Sequence, residues 1–366
     1  MKKKLIYIQS TDGSVKQFKE KGFWPRQQYL LSQYAKEFDV YYYSFDNIKM
    51  QDEMPANVIH KTKSLHTGVY GLNHIFYYLF LLKESFKWRN EKAVIRIWGT
   101  TLPIVGLLRR ISGLNVVVSF QYDWAEGIKQ DYKGIKTMVS GWVQRSVINN
   151  SKHIICTMAW LKTVAQDRYH KKAEEVTIIP NFVDTDLFVS SSEKKKQIAF
   201  AGRLHWSKGV DTLIDAFKPF VNQHPDWKLI VMGNGEELQN LKDKAAGSSV
   251  EFPGSVSYHK VAEIVNESYI FVLPTKTMEG HPKALIEAMA AGCNCVASAV
   301  PGNIDVMKES QTVDYTFKAG EHDDLLDKLL KAATVPTGLQ AKFAIDNYSS
   351  KKIIATEIEI LKRFSA

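Results

Sequence analysis

The chain has 366 residues, 45% hydrophobic and 24% charged, which is the balance of a globular protein long enough for two domains and excludes a disordered chain. Its net charge of +9 is unevenly divided: residues 1–180 hold 27 Lys and Arg against 15 Asp and Glu, while the remainder is slightly acidic. An anionic partner (a membrane surface, a phosphorylated lipid or nucleic acid) therefore competes with a plain solvated surface as the reading of the first half. Only three cysteines occur, without disulfide or metal-ligand spacing. Cys293 and Cys295 flank one residue in an apolar segment and read as small buried hydrophobes. Lys2, Lys3 and Lys4 precede an apolar run too short for a signal core, and the longest apolar stretch, 75–82, falls far below the about 20 residues of a membrane span. A cytoplasmic protein, with room for contact at the inner face of the membrane, is the expectation.

In chain order, residues 5–9, 40–44, 94–98, 116–120 and 153–157 read as buried strands, rich in Val, Ile and Tyr and bounded by polar turns. Helical stretches such as 26–37 and 135–149 lie between them. That alternation predicts βαβ units and a parallel sheet covered on both faces. The pattern breaks at Pro180-Asn181-Phe182-Val183-Asp184 and the polar run 190–196, which reads as a hinge. A second series follows, with strands at 197–201, 228–232, 251–252, 270–273 and 294–298, each leading into a helix-like segment. The last helix, 349–364, carries Ile353, Ile354, Ile358, Ile360 and Leu361 on a broad apolar face. The expected domains are 1–181 with the C-terminal segment 347–366, and 182–346. Open parallel sheets bind ligands beyond the carboxyl ends of their strands, so the chemistry is expected where those ends face each other.

Two constellations carry that chemistry. The first is Gly202-Arg203-Leu204-His205-Trp206-Ser207-Lys208-Gly209, directly after a strand. A small residue at the strand end, two cations and a glycine before a helix make a compact anion site, with Arg as a fork, Lys as a point charge and helical N–H groups beyond. Solvated surface cations are the competing reading. The run is neither a P-loop nor a dinucleotide fingerprint, which removes support for ATP and NAD. The second constellation is the block 279–292, Glu-Gly-His-Pro-Lys-Ala-Leu-Ile-Glu-Ala-Met-Ala-Ala-Gly. Pro282 suits a first helical turn and Gly292 a terminator. Glu279 precedes the helix and Glu287 lies two turns inside it, where a carboxylate among apolar residues calls for a hydroxyl donor such as a sugar or ribose. An exposed Glu on an amphipathic helix explains the pattern equally well.

Together with the 179–184 hinge, Met232-Gly233-Asn234-Gly235, the turn Phe252-Pro253-Gly254-Ser255-Val256 and Leu273-Pro274, these motifs resemble the signature of glycosyltransferase family 4 over about residues 176–305. The resemblance implies the GT-B fold: two Rossmann-like domains facing a central cleft, with the C-terminal helix crossing back to the N-terminal domain. It implies a retaining, metal-independent hexosyltransferase that needs no cofactor and takes a UDP- or GDP-sugar as donor substrate. Arg203 and Lys208 would bind the donor diphosphate and stabilise charge on the departing nucleotide. Glu287 would hold the ribose hydroxyls and Glu279 those of the sugar. Backbone N–H groups from Gly280 to Lys283, at the helix N-terminus, would face the sugar and phosphates, and Gly280, His281, Pro282, Lys283 and Ala284 would belong to the donor-binding set. Gly202 would lie beside them, Gly254 to Val256 and Gly233 to Gly235 would border the base, and Gly22 is the candidate for a phosphate-approaching turn of the first domain.

The first half departs from the family pattern. Many members have a histidine just after the strand corresponding to 116–120; here the segment is Ser119-Phe120-Gln121-Tyr122-Asp123-Trp124. Asp123 is the better candidate to accept a proton, with Gln121 beside it, and shaping of the acceptor pocket is the alternative. His60, His66 and His74 are more distant substitutes. The basic first half fits a glycan or lipid-linked acceptor at a membrane, and Lys129, Lys133, Lys136 and Arg145 around Ile135, Met138, Val139, Trp142 and Val143 suit an interfacial helix unless that apolar face is core. The product class expected is cell-surface polysaccharide or glycolipid. Rival readings are a nucleotide-sugar epimerase and a non-catalytic nucleotide-sugar-binding protein; no groove-reading motif supports nucleic acid.

Overall fold

The structure is a computed structural model and describes residues 2–9, 14–20, 24–46, 49–63, 70–131, 133–190 and 193–365. The chain divides into two compact units, Met1–Pro180 with Ile354–Ala366, and Asn181–Ile353.

The first unit runs β1 (Lys3–Gln9), α1 (Val15–Glu20), α2 (Trp24–Glu37), β2 (Phe38–Tyr43), β3 (Val58–Lys61), α3 (Tyr70–Lys87), β4 (Ala93–Trp98), α4 (Val105–Ser112), β5 (Asn115–Phe120), α5 (Trp124–Asp131), α6 (Ile135–Asn150), β6 (His153–Cys156), α7 (Ala159–Asp167) and β7 (Val176–Ile178). All seven strands are parallel, in the order β3-β2-β1-β4-β5-β6-β7. Leu5, Ile6, Tyr7 and Ile8 are all buried, because a parallel strand covered on both faces has no solvent side to leave polar. Ile6, Ile8, Ile95, Ile97, Val116 and Val118 face one helical layer and pack against Tyr77, Leu81, Leu108, Val143 and Val147 of α3, α4 and α6. The short edge strand β3, Val-Ile-His-Lys, escapes the sequence reading, since four residues hold too little alternation to register.

The second unit contains β8 (Lys195–Ala201), α8 (Val210–Gln223), β9 (Lys228–Met232), α9 (Leu238–Lys244), β10 (Val250–Gly254), α10 (Tyr258–Glu267), β11 (Ser268–Leu273), α11 (Lys283–Ala290), β12 (Asn294–Ser298), α12 (Asn303–Glu309), β13 (Thr316–Phe317), α13 (His322–Ala333) and α14 (Ala341–Tyr348). Its parallel order is β10-β9-β8-β11-β12-β13. Phe200, Leu213, Phe217, Phe220, Val231, Val272 and Leu329 centre its core. Cys156, Cys293 and Cys295 are free and buried, and burial pushes the Cys293 thiol up to about 11.

The last helix, α15 (Ser350–Phe364), starts in the second unit and continues in the first. The segment expected with the first domain from residue 347 is tied at its start to the second. Val183 N–H donates to the Tyr348 carbonyl at 2.7 Å and Ser350 N–H to the Val183 carbonyl at 3.0 Å. Further on, Glu357 takes Arg96 Nε at 2.7 Å, the two groups buried beside β4, and the Phe364 carbonyl accepts from Asn115 at 3.0 Å. Among the described residues no helix is long and apolar enough to cross a membrane.

In each sheet the winding direction reverses once, between β1 and β4 and between β8 and β11. Diverging loops at such a point leave a crevice beyond the strand ends.

Candidate functional site

The β8/β11 reversal point is built largely from backbone. Gly202 N–H donates to the Met232 carbonyl at 3.0 Å, Gly233 N–H to the Gly254 carbonyl at 2.9 Å and Leu204 N–H to the Asn234 carbonyl at 2.9 Å. These bonds set the turns after β8, β9 and β10 side by side. Gly233, at φ 137°, is pressed on its neighbour so closely that a Cβ there would lie 1.8 Å from the Gly202 carbonyl oxygen, a contact that only glycine permits. The turn after β8 then passes through Trp206–Lys208, and Gly209 takes φ 66° against the end of β11, a Cβ there falling 2.0 Å from the Pro274 carbonyl oxygen. Lys276 N–H donates to the Ser207 carbonyl at 2.7 Å. Lys208 is thereby carried to the mouth of the sheet.

Its Nζ lies 2.5 Å from Glu279 Oε1, and the Thr275 hydroxyl donates to the same oxygen at 2.9 Å. Glu279 is anchored by its N–H to the Pro301 carbonyl at 3.0 Å. Lys208 and Glu279 share a pocket of about 90 Å3 with Phe200, Ala201, Gly202, Leu273, Pro282, Lys283 and Ala284. The amino end of α11 is one of its walls. N–H groups in a first helical turn lack intrahelical acceptors, and the helix dipole is positive there, so this wall favours negative charge. Asn181 fixes the approach to the helix, its Nδ2 donating to the His281 carbonyl at 2.7 Å, while the buried His281 ring sits edge-on to Tyr348 with centroids 4.9 Å apart. Gly292, at φ 81°, follows the helix end.

The structure thus gathers Gly202, Lys208, Glu279, Pro282, Lys283 and Ala284 around one pocket and places Gly280 and His281 in the loop entering it. Gly233 and Gly254 lie at the adjoining strand ends, with Gly254 at φ 75° and Val256 half-buried before α10. Glu287 lies outside the pocket lining; it is buried on α11 and accepts a hydrogen bond from the Tyr258 hydroxyl at 2.7 Å. Arg203 also stands outside the lining. Its exposed guanidinium is 3.2 Å from Glu236, which lies 3.3 Å from His205 Nε2 as well. Glu236 is held below the usual carboxylate range, first by a bond from its own backbone N–H and then by Arg203 and His205. Thr275, Tyr258, Glu236 and Asn181 went unassigned in the sequence, since single hydroxyls, amides and carboxylates in turns carry no periodic signal.

Asp123, in the first unit, is almost wholly buried and firmly engaged. One oxygen accepts from Gln144 Nε2 at 2.8 Å and from Glu126 N–H at 3.3 Å, and the other accepts from Arg168 Nη1 at 2.6 Å. These bonds tie α5, α6 and the end of α7 together through one buried carboxylate. Gln121 lends its backbone carbonyl to Thr157 at 3.3 Å. His60 is buried, and burial lowers its basicity. Its Nδ1 accepts from Met50 N–H at 2.8 Å, and Nε2 meets Ser44 Oγ at 2.7 Å, which leaves it structural. His74 stacks on Phe45 with centroids 4.8 Å apart. Gly22 and His66 lie outside the described residues.

Two parallel α/β units, the second with an anion-favouring pocket at its reversal point, define the class: a GT-B fold. The fold of HepE from Anabaena, solved in complex with UDP and glucose, matches at a TM-score of 0.73 and 15% identity over 99% of this chain and 100% of that one. Residues 28–187 match the model described as Glycosyltransferase Family 4 and residues 184–348 that described as Glycosyl transferases group 1, and the chain belongs to the family 4 glycosyltransferases. The gpi3 subunit of phosphatidylinositol N-acetylglucosaminyltransferase from Schizosaccharomyces pombe is 25% identical over 54% of this chain and 44% of its own length. The phosphatidyl-myo-inositol mannosyltransferase of Mycobacterium tuberculosis is 30% identical over 36% and 37%. The chain's matches therefore span less than half the length of these curated relatives.

Proposed function

We propose that the chain moves a hexose-type sugar from a UDP- or GDP-linked donor to a glycan or lipid-linked acceptor, with retention at the anomeric carbon and without a metal ion. The observation that carries this reading is the Lys208–Glu279 pair set in the pocket against the amino end of α11. A diphosphate is the group that a lysine and a helix amino terminus hold together. Glu279 then turns from Lys208 toward the sugar hydroxyls. Glu287 meets the ribose with Tyr258 as its companion, and Arg203 leaves Glu236 to share the phosphate charge. The bond from the anomeric carbon to the diphosphate oxygen breaks, the acceptor oxygen bonds the same carbon on the same face, and the released phosphate oxygen takes the acceptor proton. Such a step demands positioning and charge stabilisation rather than a strong base, which suits a pocket whose charged groups are two lysines and one glutamate.

A UDP-containing neighbour of the same fold and relatives named for phosphatidylinositol-linked products support the donor and acceptor classes. The acceptor side, with the cationic first unit, supports work at the inner membrane face toward glycolipid or polysaccharide.

The test combines thermal shift with product analysis, both in EDTA. One nucleotide family should raise the melting temperature, and its sugar should appear on a lipid acceptor with the donor's anomeric configuration by NMR. Absence of any shift in folded protein would sink the donor assignment. Conversion of the donor sugar without an acceptor would favour epimerisation instead.

A further inference from the structure

Among the described residues, nine of the seventeen exposed large hydrophobic side chains fall on three helices of the first unit. On α3 they are Leu72, Ile75, Leu79 and Phe86, spaced along one solvent-facing stripe. α4 adds Leu107, and α6 adds Ile135, Met138, Val139 and Trp142. α4 packs against both α3 and α6, so the three stripes lie on one helical layer over the sheet. Ile135 is 79% exposed, Met138 74% and Trp142 64%. The alternation shows why these are not misplaced core residues: Tyr77 and Leu81 of α3, Leu108 of α4 and Val143 and Val147 of α6 already fill the buried side. Exposed apolar side chains gathered on one helical layer mark an interaction surface.

Its charge selects the partner. The sequences of α3, α4 and α6 contain one acidic residue, Glu84, which is buried and engaged by Lys87 and the Tyr43 hydroxyl. The exposed cations on or beside the same layer include Lys83, Lys87, Arg109, Arg110, Lys136 and Arg145. We infer that this α3/α4/α6 face docks on an anionic lipid surface, with Trp142, Met138, Ile135 and Leu79 entering the headgroup boundary and the cations meeting lipid phosphates. Exposed apolar side chains flanked by Lys and Arg, on helices whose one carboxylate is buried, are the chemistry of an interfacial layer. A second copy would bring two cationic faces together, which costs affinity. None of the three helices is long and apolar enough to span, so the contact lies on the membrane. The inference deepens the lipid-acceptor reading by naming the surface that brings the enzyme to its acceptor, yet it uses no residue of the donor pocket.

The experiment is cosedimentation of the full chain with vesicles of phosphatidylcholine alone and of phosphatidylcholine with phosphatidylglycerol. Binding to the anionic vesicles, weakened by salt, is expected. Met138→Glu with Trp142→Glu should reduce it at least about tenfold, and Lys136→Glu about fivefold or more. Leu339→Glu, at an exposed site of the second unit, should bind as the parent does. All these positions are exposed, and unchanged melting temperatures verify folding. The inference is overturned if the parent ignores anionic vesicles or if the α6 double variant binds them undiminished. It is equally overturned if the face instead supports a concentration-dependent dimer in sedimentation velocity without lipid binding. The nucleotide-dependent thermal shift of the double variant reads the donor site separately, so failure of the one leaves the other standing.

Discussion

Lys208 and Glu279 make opposite predictions for two ligands that differ only by a sugar. In the unliganded pocket the lysine is bonded to the carboxylate at 2.5 Å, the side chains being 30% and 18% exposed. Replacing Lys208 by Met removes a charged donor to the diphosphate, worth about 1.5–3 kcal/mol, which weakens nucleoside diphosphate binding about 10- to 100-fold. Glu279→Gln acts the other way on the same ligand, because the lysine no longer has a carboxylate to leave. Partial exposure limits that gain to about 1 kcal/mol, or about fivefold tighter binding. The nucleotide sugar should show the reverse with Glu279→Gln, losing about tenfold as a charge-assisted bond to its hydroxyls becomes a neutral one. Calorimetric titration of UDP, GDP and their sugars into the parent and both variants tests this. A Lys208→Met protein that binds every nucleotide as the parent does refutes the pocket assignment. If Glu279→Gln weakens diphosphate and nucleotide sugar equally, Glu279 shapes the pocket and makes no sugar contact.

Three further outcomes follow from the packing. Gly233→Ala forces a Cβ into the Gly202 carbonyl at a left-handed φ and should cost more than about 2 kcal/mol in denaturant unfolding, with nucleotide binding lost alongside. Arg96→Met leaves Glu357 charged and buried without its partner and should cost about 3–5 kcal/mol, while Arg96→Met with Glu357→Leu should recover most of that loss; a double variant no better than the single refutes the pairing argument. His153 is buried against Phe364, with Thr177 Oγ1 2.9 Å from its Nε2, and burial lowers it to about 4, aided by Arg363, Lys171 and Arg96 and opposed by Glu175. A depressed histidine favours its neutral form in the fold, so its contribution is complete above pH 6.5 and drains as pH falls from about 6.5 to about 4, on the order of 3 kcal/mol in all. His153→Gln should flatten the stability slope in that window.

The parallel strands of both units were legible because residues buried on two faces must be apolar almost without interruption, as Leu5 to Ile8 and Ile270 to Leu273 are. Strand β3 was not, being four residues at an edge. The division near Pro180 was visible as a break in pattern, but the attachment of residues 347–353 to the second unit was not. It depends on backbone bonds between Val183 and the 348–350 segment, and backbone pairing leaves no mark on side-chain identity. The pocket beside Lys208 was legible for a related reason turned round. Where backbone must approach backbone, only glycine serves, so Gly209, Gly233 and Gly235 record contacts made across the fold. The resemblance to a known family did the rest, joining glycines and charges that spacing alone left as one option among several.

Asp123 and Trp142 show the converse, two residues of the first unit whose sequence neighbourhood leaves two readings open and whose surroundings lie elsewhere in the chain. Asp123 follows a strand in a polar turn, where a carboxylate reads as available, yet it is buried under Gln144 and Arg168, residues 21 and 45 positions away. Trp142 sits mid-helix in an apolar run, where interfacial and core readings compete, and it faces solvent while Val143 and Val147 on the adjacent side fill the packing. Neither environment is encoded locally: each follows from which side of a helix the sheet claims. α6 carries apolar residues on its buried side and again at Ile135, Met138, Val139 and Trp142 on its exposed side, beside Lys136 and Arg145. In this unit it is not enclosed. The proposed lipid surface is what would meet those side chains, together with the stripe on α3, which lies on the same helical layer although α4 and α5 intervene in sequence.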